Sequence, residues 1–395
     1  MPFNLFIVLF FVGGWAAGRL FSKLGLPSIL GMVLFGLTLR FFIPGFIPEL
    51  IFELDPFLKS LALVVILLRA GLGIYKSTLI KVGRAAIPMA FLPCLLEAGV
   101  LTVVYHALFS LPWITSALGA FMLAAVSPAV VVPSMLDFKE QGLGRRNEVP
   151  TIILAGASVD DVTAITFFSF FLMLSTGDIG LAGAGTTFLF IPLSVAGGVA
   201  GGLVAGLILA GWFRRHHERI RATEKTLLLL MIAVVLVEIG NALHLAALLT
   251  VMTLGFVLLE RAENVAHELA AKLSKVWVIA EIVLFVLIGM AVDIPVALEA
   301  GPRGIVLILI GLSARSIGVW ISTSFEKKLT WRERVFCMCA YLPKATVQAA
   351  LGTVPLAAGV AGGEVLLSIA VLSILLTAPL GLILIRTLGP RLLAV

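Results

Sequence analysis

The feature that most limits what this chain can fold into is the unbroken succession of apolar runs from residue 3 to residue 388, separated only by short charged or turn-rich breaks. A helix needs about 20 mostly apolar residues to cross a bilayer core of about 30 Å. Runs of that length follow one another along all 395 residues, so the chain reads as an all-α, multi-pass integral membrane protein. Composition agrees: 61% of the residues are hydrophobic and 13% charged, where a soluble domain carries about 25% charged residues. No stretch remains for a sizeable soluble domain. The first segment, LFIVLFFVGGWAAGRLF, has no basic flank ahead of it and leads straight into a second apolar run, so it is expected to be a retained helix and not a cleaved signal.

Thirteen spans are expected, near residues 3 to 20, 27 to 43, 58 to 75, 85 to 109, 114 to 136, 150 to 174, 185 to 213, 226 to 243, 245 to 260, 276 to 292, 304 to 325, 333 to 357 and 365 to 388. Lys and Arg test that count. Twenty-two of the 28 fall in the connections after the odd-numbered spans one to eleven and in the C-terminal tail, Arg214, Arg215, Arg219, Arg221 and Lys225 being the densest group. Only Arg40, Lys59 and Arg303 fall on the opposite side. Basic residues accumulate in cytoplasmic loops, so the N-terminus is expected outside and the C-terminus in the cytoplasm. The formal charge of +6 is then a sidedness signal and not a sign of a nucleic-acid partner.

Two spans share an unusual design. Span five contains AAVSPAVVVPSM, with Pro128 and Pro133 among small residues, and span twelve contains YLPKATVQAALGTVP, with Pro343 and Pro355 around a polar run. Prolines and polar residues in mid-span point to interrupted helices, which are tolerated at membrane depth where protein or a water-filled cavity satisfies the freed backbone groups. The two lie seven spans apart, and an odd offset reverses the direction of the second copy. This is the pattern of an inverted repeat, whose interrupted helices mark a midplane ion site in secondary transporters. The expected organisation is a first repeat over residues 1–174, a linker span with a basic loop over 175–225, and a second repeat over 226–395. The transport core is expected from about 85–174 and 304–388, with the remainder as scaffold. In the linker span, Gly198, Gly202 and Gly206 at spacing four suit close helix packing, within the protomer or at a dimer contact.

The ionisable residues that stand out inside spans are Arg69, Glu97, Asp160, Asp161, Glu281, Arg315 and Lys344. Each costs at least about 2.5 to 3.5 kcal/mol at a helix centre, which makes it a functional candidate. Asp160 and Asp161 sit in GASVDDVTAI; as neighbours on a helix they point about 100° apart and cannot share one proton face to face. One can face a cavity and bind a cation while the other is held by hydrogen bonds or a counter-charge. The small residues Gly156, Ala157, Ser158 and Ala164 leave room for an ion and a second backbone. Glu97 and Arg315 lie mid-span at symmetry-related positions and invite an ion pair. Lys344 follows Pro343 at the break of span twelve, where its charge could neutralise half-helix carbonyls. Arg69 and Glu281 lie nearer their span ends, where snorkelling explains them; His106 and His244 have no evident site partners. Cys94, Cys337 and Cys339 have no metal-ligand spacing and read as inert buried thiols.

VSPAVVVPSM (126–135), GASVDDVTAI (156–165) and LPKATVQAALG (342–352) together closely resemble the NHA group of sodium/proton antiporters, within the monovalent cation:proton antiporter superfamily. LLRAGLG (67–73), LPW (111–113) and LSILLTAPLG (372–381) match the same group in the same order, so the resemblance covers nearly the whole chain. It implies a sodium/proton antiporter fold with two crossed discontinuous helices, a homodimer, and a mobile core. It also implies that Asp161 alternately takes a cation or a proton, that Asp160 is its partner, and that Ser127 and Pro128 lie at the crossing. Glu97 and Arg315 match the charge pair of the two adjacent core helices. Electrogenic relatives have a Lys paired to the first Asp where this chain has Arg315. The compactness of the chain resembles bacterial members, and with it a plasma-membrane location.

The expected function is therefore secondary active exchange of Na⁺ or Li⁺ for H⁺, with no enzymatic chemistry and no cofactor. Lysine can lose a proton when buried and arginine does not, so Arg315 points to electroneutral exchange. The alternatives are electrogenic antiport with Asp160 as a second proton carrier, and a sodium-coupled organic anion symporter of similar fold. An intramembrane aspartyl protease would need its two aspartates on separate facing helices, and no second lone Asp occupies a span centre.

Overall fold

The structure is a computed structural model that describes residues 3–42, 45, 47–73, 75–176, 184–217, 219–243, 245–291 and 294–393. His244 and the side chains of Pro128 and Ser158 lie outside the described set. The described residues form helices and contain no strand. In chain order these are α1 (Phe3–Lys23), α2 (Ser28–Phe42), α3 (Glu49–Gly71), α4 (Lys76–Phe109), α5 (Trp113–Leu123), α6 (Pro128–Glu140), α7 (Val149–Thr176) and α8 (Ala184–Arg215). They continue with α9 (Ala222–Ala242), α10 (Ala247–Arg261), α11 (Glu263–Ala291), α12 (Ile294–Ser324), α13 (Trp331–Ala340), α14 (Thr346–Leu351), α15 (Val354–Ala357) and α16 (Gly363–Leu393). Eight helices among the described residues are long and apolar enough to cross a bilayer unaided. The helix of the third expected span starts earlier than expected, at Glu49, and so draws Lys59 into a buried helical position.

Spans five and twelve are broken, as expected from their prolines and polar residues, whereas Pro88 and Pro93 lie inside the continuous α4. α5 stops at Leu123 and α6 restarts with Pro128 at its first turn and Ser127 as N-cap in an extended conformation. Proline suits that position, because its missing N–H is one the first turn leaves unbonded in any case. α6 then ends at Glu140, and Gly142 just beyond it has a φ of +75° that lets the Leu143 N–H bond back to the Phe138 carbonyl at 2.9 Å. α13 begins with a reciprocal cap: the Glu333 N–H donates to Thr330 Oγ1, and the Thr330 N–H to Glu333 Oε2. It stops at Ala340, and the chain crosses Tyr341 to Ala345 before α14.

Contacts group the chain into two compact units. One comprises Met1–Pro56, Lys81–Thr176 and Leu284–Val395; the other comprises Phe57–Ile80 and Gly177–Val283. In the first, α7 packs on both halves of the broken span five and on α13, and α16 packs on α12 and α13. In the second, α8 packs along α10, where a Cβ on Gly198, Gly202 or Gly206 would meet the Ala246 carbonyl, Thr253 or Val257. These glycines therefore serve packing within the protomer.

Two pairs of helices cross in the same way, through facing glycines. Gly36 of α2 lies against Gly289 of α11, and a Cβ on either would fall on the carbonyl three residues before the other, that of Val286 or Val33. In the second unit Gly71 and Gly255 meet in the same way, each against the carbonyl of Met252 or Leu68. α2 and α11 thus cross through a glycine pair in the first unit as α3 and α10 do in the second.

Candidate functional site

The site grows out of the two helix breaks in the first unit. In lipid the freed backbone groups have no water to bond, and the structure gives them protein partners. The Ser127 N–H donates to the Pro343 carbonyl at 2.8 Å, tying one break to the other. The Val126 N–H donates to Asp160 Oδ2 at 3.2 Å. Gln348 Nε2 donates to the carbonyls of Met122, Leu123 and Ala125 at 3.0 to 3.3 Å, closing the C-terminal end of α5. The Lys344 N–H donates to Thr377 Oγ1 of α16 at 2.8 Å.

Arg315 is the hub. A Cβ on Gly318 would strike Pro93 of α4, and this close crossing brings Arg315, one turn back on α12, level with Glu97, one turn on along α4. The guanidinium is fully buried. Its Nε donates to the Tyr341 carbonyl at 2.8 Å, Nη1 donates to Glu97 Oε2 at 2.7 Å and to the Ala124 carbonyl, and Nη2 donates to Asp160 Oδ2. One planar cation thereby serves two carboxylates and the C-terminal carbonyls of both half-helices, α5 and α13. Lysine has three donors on one atom and could not span these directions.

The expected Glu97–Arg315 pair is thus present, and Lys344 differs from expectation. Its Nζ donates to Glu97 Oε2 at 2.7 Å, so Glu97 is shared between two cations while the carbonyl ends fall to Arg315 and Gln348. The arginine reaches those carbonyls because its side chain enters from a neighbouring helix, whereas Lys344 leaves the break pointing toward α4.

The two aspartates have different surroundings. Asp160 is fully buried, its Oδ2 held by Arg315 and the Val126 amide, while its Oδ1 has no hydrogen-bond partner. Asp161 is 4% exposed, has no ion pair or side-chain hydrogen bond among the described residues, and its buried Oδ1 is also unpartnered. Ser127 Oγ at the crossing and Thr346 Oγ1 at the start of α14 are likewise buried and unpartnered. Five charges, Glu97, Asp160, Asp161, Arg315 and Lys344, are therefore buried around the two breaks. Two cations answer two of the carboxylates and leave Asp161 over.

Three site residues escaped sequence reasoning: Tyr341, Gln348 and Thr346. All lie in the polar run of YLPKATVQAALG, which was the available signal, but nothing in a linear pattern says which neighbour each reaches. Outside the site, Arg69 and Glu281 are less independent than expected: in the second unit Arg69 lies over the Trp277 ring at 5.6 Å and interacts with Glu281.

Comparison with known proteins agrees with this arrangement. The family model for the transmembrane sodium/hydrogen exchangers matches residues 7–388. The chain is 34% identical to sodium/hydrogen exchanger 9B2 of Homo sapiens over 99% of its own length and 75% of that protein, and 33% identical to the Mus musculus protein over 99% and 74%. It is 32% identical to human sodium/hydrogen exchanger 9B1 over 99% and 78%. In fold it is similar to the sodium proton antiporter MjNhaP1 from Methanocaldococcus jannaschii, with a TM-score of 0.82, 21% identity, and coverage of 99% of this chain and 98% of that one. With broken helices that tie their ends together around a surplus buried carboxylate, and with matches over nearly its whole length, the chain belongs to the transmembrane sodium/hydrogen exchanger family.

Proposed function

We propose that Asp161 is the exchanged site of a sodium/proton antiporter, binding Na⁺ or Li⁺ when ionised and releasing it when protonated. The observation that carries this reading is the surplus charge: Arg315 and Lys344 match Glu97 and Asp160, and Asp161 has no cation of its own. A buried unpaired carboxylate is costly, so it holds either a cation or a proton, and that competition couples the two fluxes. The unpartnered oxygens of Ser127, Thr346 and Asp160 are hard donors of the kind an alkali cation takes. Ser158 and Pro128 belong to the same neighbourhood by position in the chain. Because Asp160 is held by a cation that does not titrate, the exchange is one for one and electroneutral.

The remaining parts follow the sequence pattern. Residues 85–174 and 304–388 form the moving core, the other spans a scaffold through which two copies pair, and the core carries Asp161 alternately to the two sides. Thirteen spans place the N-terminus outside and the C-terminus in the cytoplasm of a bacterial plasma membrane, as the twenty-two to three division of basic residues supports.

The test is a flux assay in proteoliposomes that contain no organic solute. Addition of Na⁺ or Li⁺ is expected to collapse a preset pH gradient, at a rate unaffected by an imposed membrane potential, and Asp161→Asn is expected to reduce the rate to background. Full proton-coupled Na⁺ flux in Asp161→Asn would overturn the assignment; a potential-dependent rate would leave the site standing and overturn electroneutrality.

A further inference from the structure

A second set of contacts joins α6 and α13 at their ends farthest from the crossing. α6 starts at the crossing with Ser127 as N-cap, and α13 stops there with Tyr341 as C-cap. At the other end of α6 a short loop turns the chain into α7. Gly142 and Gly144 take φ of +75° and +65°, and Glu148 takes φ of +55°, a conformation few residues with a side chain adopt. The Val149 N–H donates to the Gly144 carbonyl at 3.1 Å, and Thr151 Oγ1 donates to Glu148 Oε2 at 2.9 Å. The Gly144 N–H reaches the Leu393 carbonyl at the end of α16 at 3.4 Å. The loop is thereby fixed with Asn147 aimed at the start of α13.

Asn147 Nδ2 donates to the Lys328 carbonyl at 3.0 Å and to the two carboxylate oxygens of Glu333 at 3.0 and 2.9 Å. Glu333 already caps α13, its Oε2 accepting from the Thr330 N–H at 2.7 Å and from Thr330 Oγ1 at 2.9 Å. A capping box is complete within its own four residues, so it asks for no distant partner. This carboxylate, however, is 7% exposed and has no ion pair among the described residues, although Lys327, Lys328, Arg332 and Arg334 flank it in the chain. A buried carboxylate needs donors, and the further ones come from an amide 186 residues away. Asparagine brings two N–H donors and no charge, which lets one side chain serve the carboxylate and a backbone carbonyl together. One turn along α13, Phe336 meets Phe138 of α6 with ring centroids 5.8 Å apart, and a Cβ on Gly389 of α16 would strike Phe138.

We propose that Asn147 is a positioning residue for the exchange reaction: through Glu333 it holds α6 and α13 in one register, so that the crossing is assembled before the cation arrives. The inference rests on the reading of the crossing as the cation site. α6 and α13 each end in a break, and a half-helix held at one end can pivot there. The Ser127–Pro343 hydrogen bond joins the two breaks, and the Asn147–Glu333 contact joins the far ends. Without the second tie the half-helices pivot separately, and only a fraction of the molecules presents the unpartnered oxygens of the crossing as one site. The apparent affinity then falls by that fraction. A bound cation gathers the same oxygens itself, so the rate at saturation is kept.

In proteoliposomes at one fixed pH, Asn147→Ala is expected to raise the apparent KM for Na⁺ by about two- to ten-fold, the equivalent of one hydrogen bond, with the maximal rate kept. Asn147→Asp sets a like charge against Glu333 and is expected to raise KM further. Adding Glu333→Gln to Asn147→Asp reverses the direction of the hydrogen bond and is expected to return KM to within about two-fold of the parent, a coupling that two independent sites would not show. A role in stability alone would lower Tm and, through an inactive fraction, the maximal rate at an unchanged KM. That result would overturn the proposal, as would a parental KM in both single variants or a double variant no better than Asn147→Asp. If Asp161→Asn abolishes exchange while Asn147→Ala keeps the parental KM, only the role of Asn147 fails; if Asp161→Asn retains exchange, the underlying reading fails first.

Discussion

Asp160 and Asp161 are chemically identical neighbours on one helix, and about 100° of rotation puts them in opposite situations. On one face α7 meets Arg315 and the Val126 amide, and Asp160 is part of the protein's internal structure. On the other, Asp161 meets no cation and no donor among the described residues. On the proposed reading, the difference teaches that a buried charge becomes a transport site by being left out of the network. Five buried charges with a surplus of one carboxylate define a place where folding is incomplete until an ion or a proton arrives.

The sharpest way to break the comparison is to remove the hub. Arg315→Leu leaves Asp160 without a cation, Glu97 with Lys344 alone and two helix-end carbonyls without their donor, and breaking a buried pair costs about 3 to 5 kcal/mol. Loss of the monodisperse protein, or a large fall in Tm in detergent, is the expected outcome; a Tm within a degree or so of the parent would mean that Arg315 is not the hub. The aspartates should then part company. Asp160→Asn leaves a buried guanidinium short of its anion and is expected to cost about 2 to 3 kcal/mol, whereas Asp161→Asn removes an unmatched charge and is expected to leave Tm unchanged or raise it. Equal losses in the two variants would erase the contrast drawn from the structure.

A third expectation concerns the ligand. Na⁺ that binds only the folded site raises Tm by mass action, about 2.7 kcal/mol at a hundredfold excess over Kd. On the proposed competition of protons at Asp161, this stabilisation should grow as pH rises and vanish in Asp161→Asn. A Na⁺ effect that is independent of pH, or that survives in the variant, would locate the cation elsewhere. The smallest effect is expected from Gln348→Leu, which strips the α5 carbonyls of one side-chain donor and should cost about 1 to 2 kcal/mol with the exchange rate largely kept. A complete loss of exchange would instead make Gln348 part of the ion site.

Much of this was legible in the linear chain. Pro128 and Pro343 announced the breaks because each sits in mid-span among small or polar residues, where the helix hydrogen bond that proline removes has no lipid substitute, and the Asp160–Asp161 pair stood out because lipid tolerates few charges. The mid-span positions of Glu97 and Arg315 suggested their pairing. The destination of Lys344 was not legible, since a long side chain at a break can reach several acceptors and only the packing of α4 selects Glu97. Nor were the roles of Tyr341 and Gln348, whose partners lie on α12 and α5.

What the sequence alone determined is what solvent chemistry dictates: a chain of apolar runs must be helices in a bilayer, its basic residues mark one side, and its few buried charges must be matched. What only the tertiary structure decided is which charge goes unmatched. That depends on helix rotation and on crossings as close as Gly318 against Pro93, and a turn of α7 by one residue would exchange the parts of Asp160 and Asp161 while leaving the composition of the site unchanged.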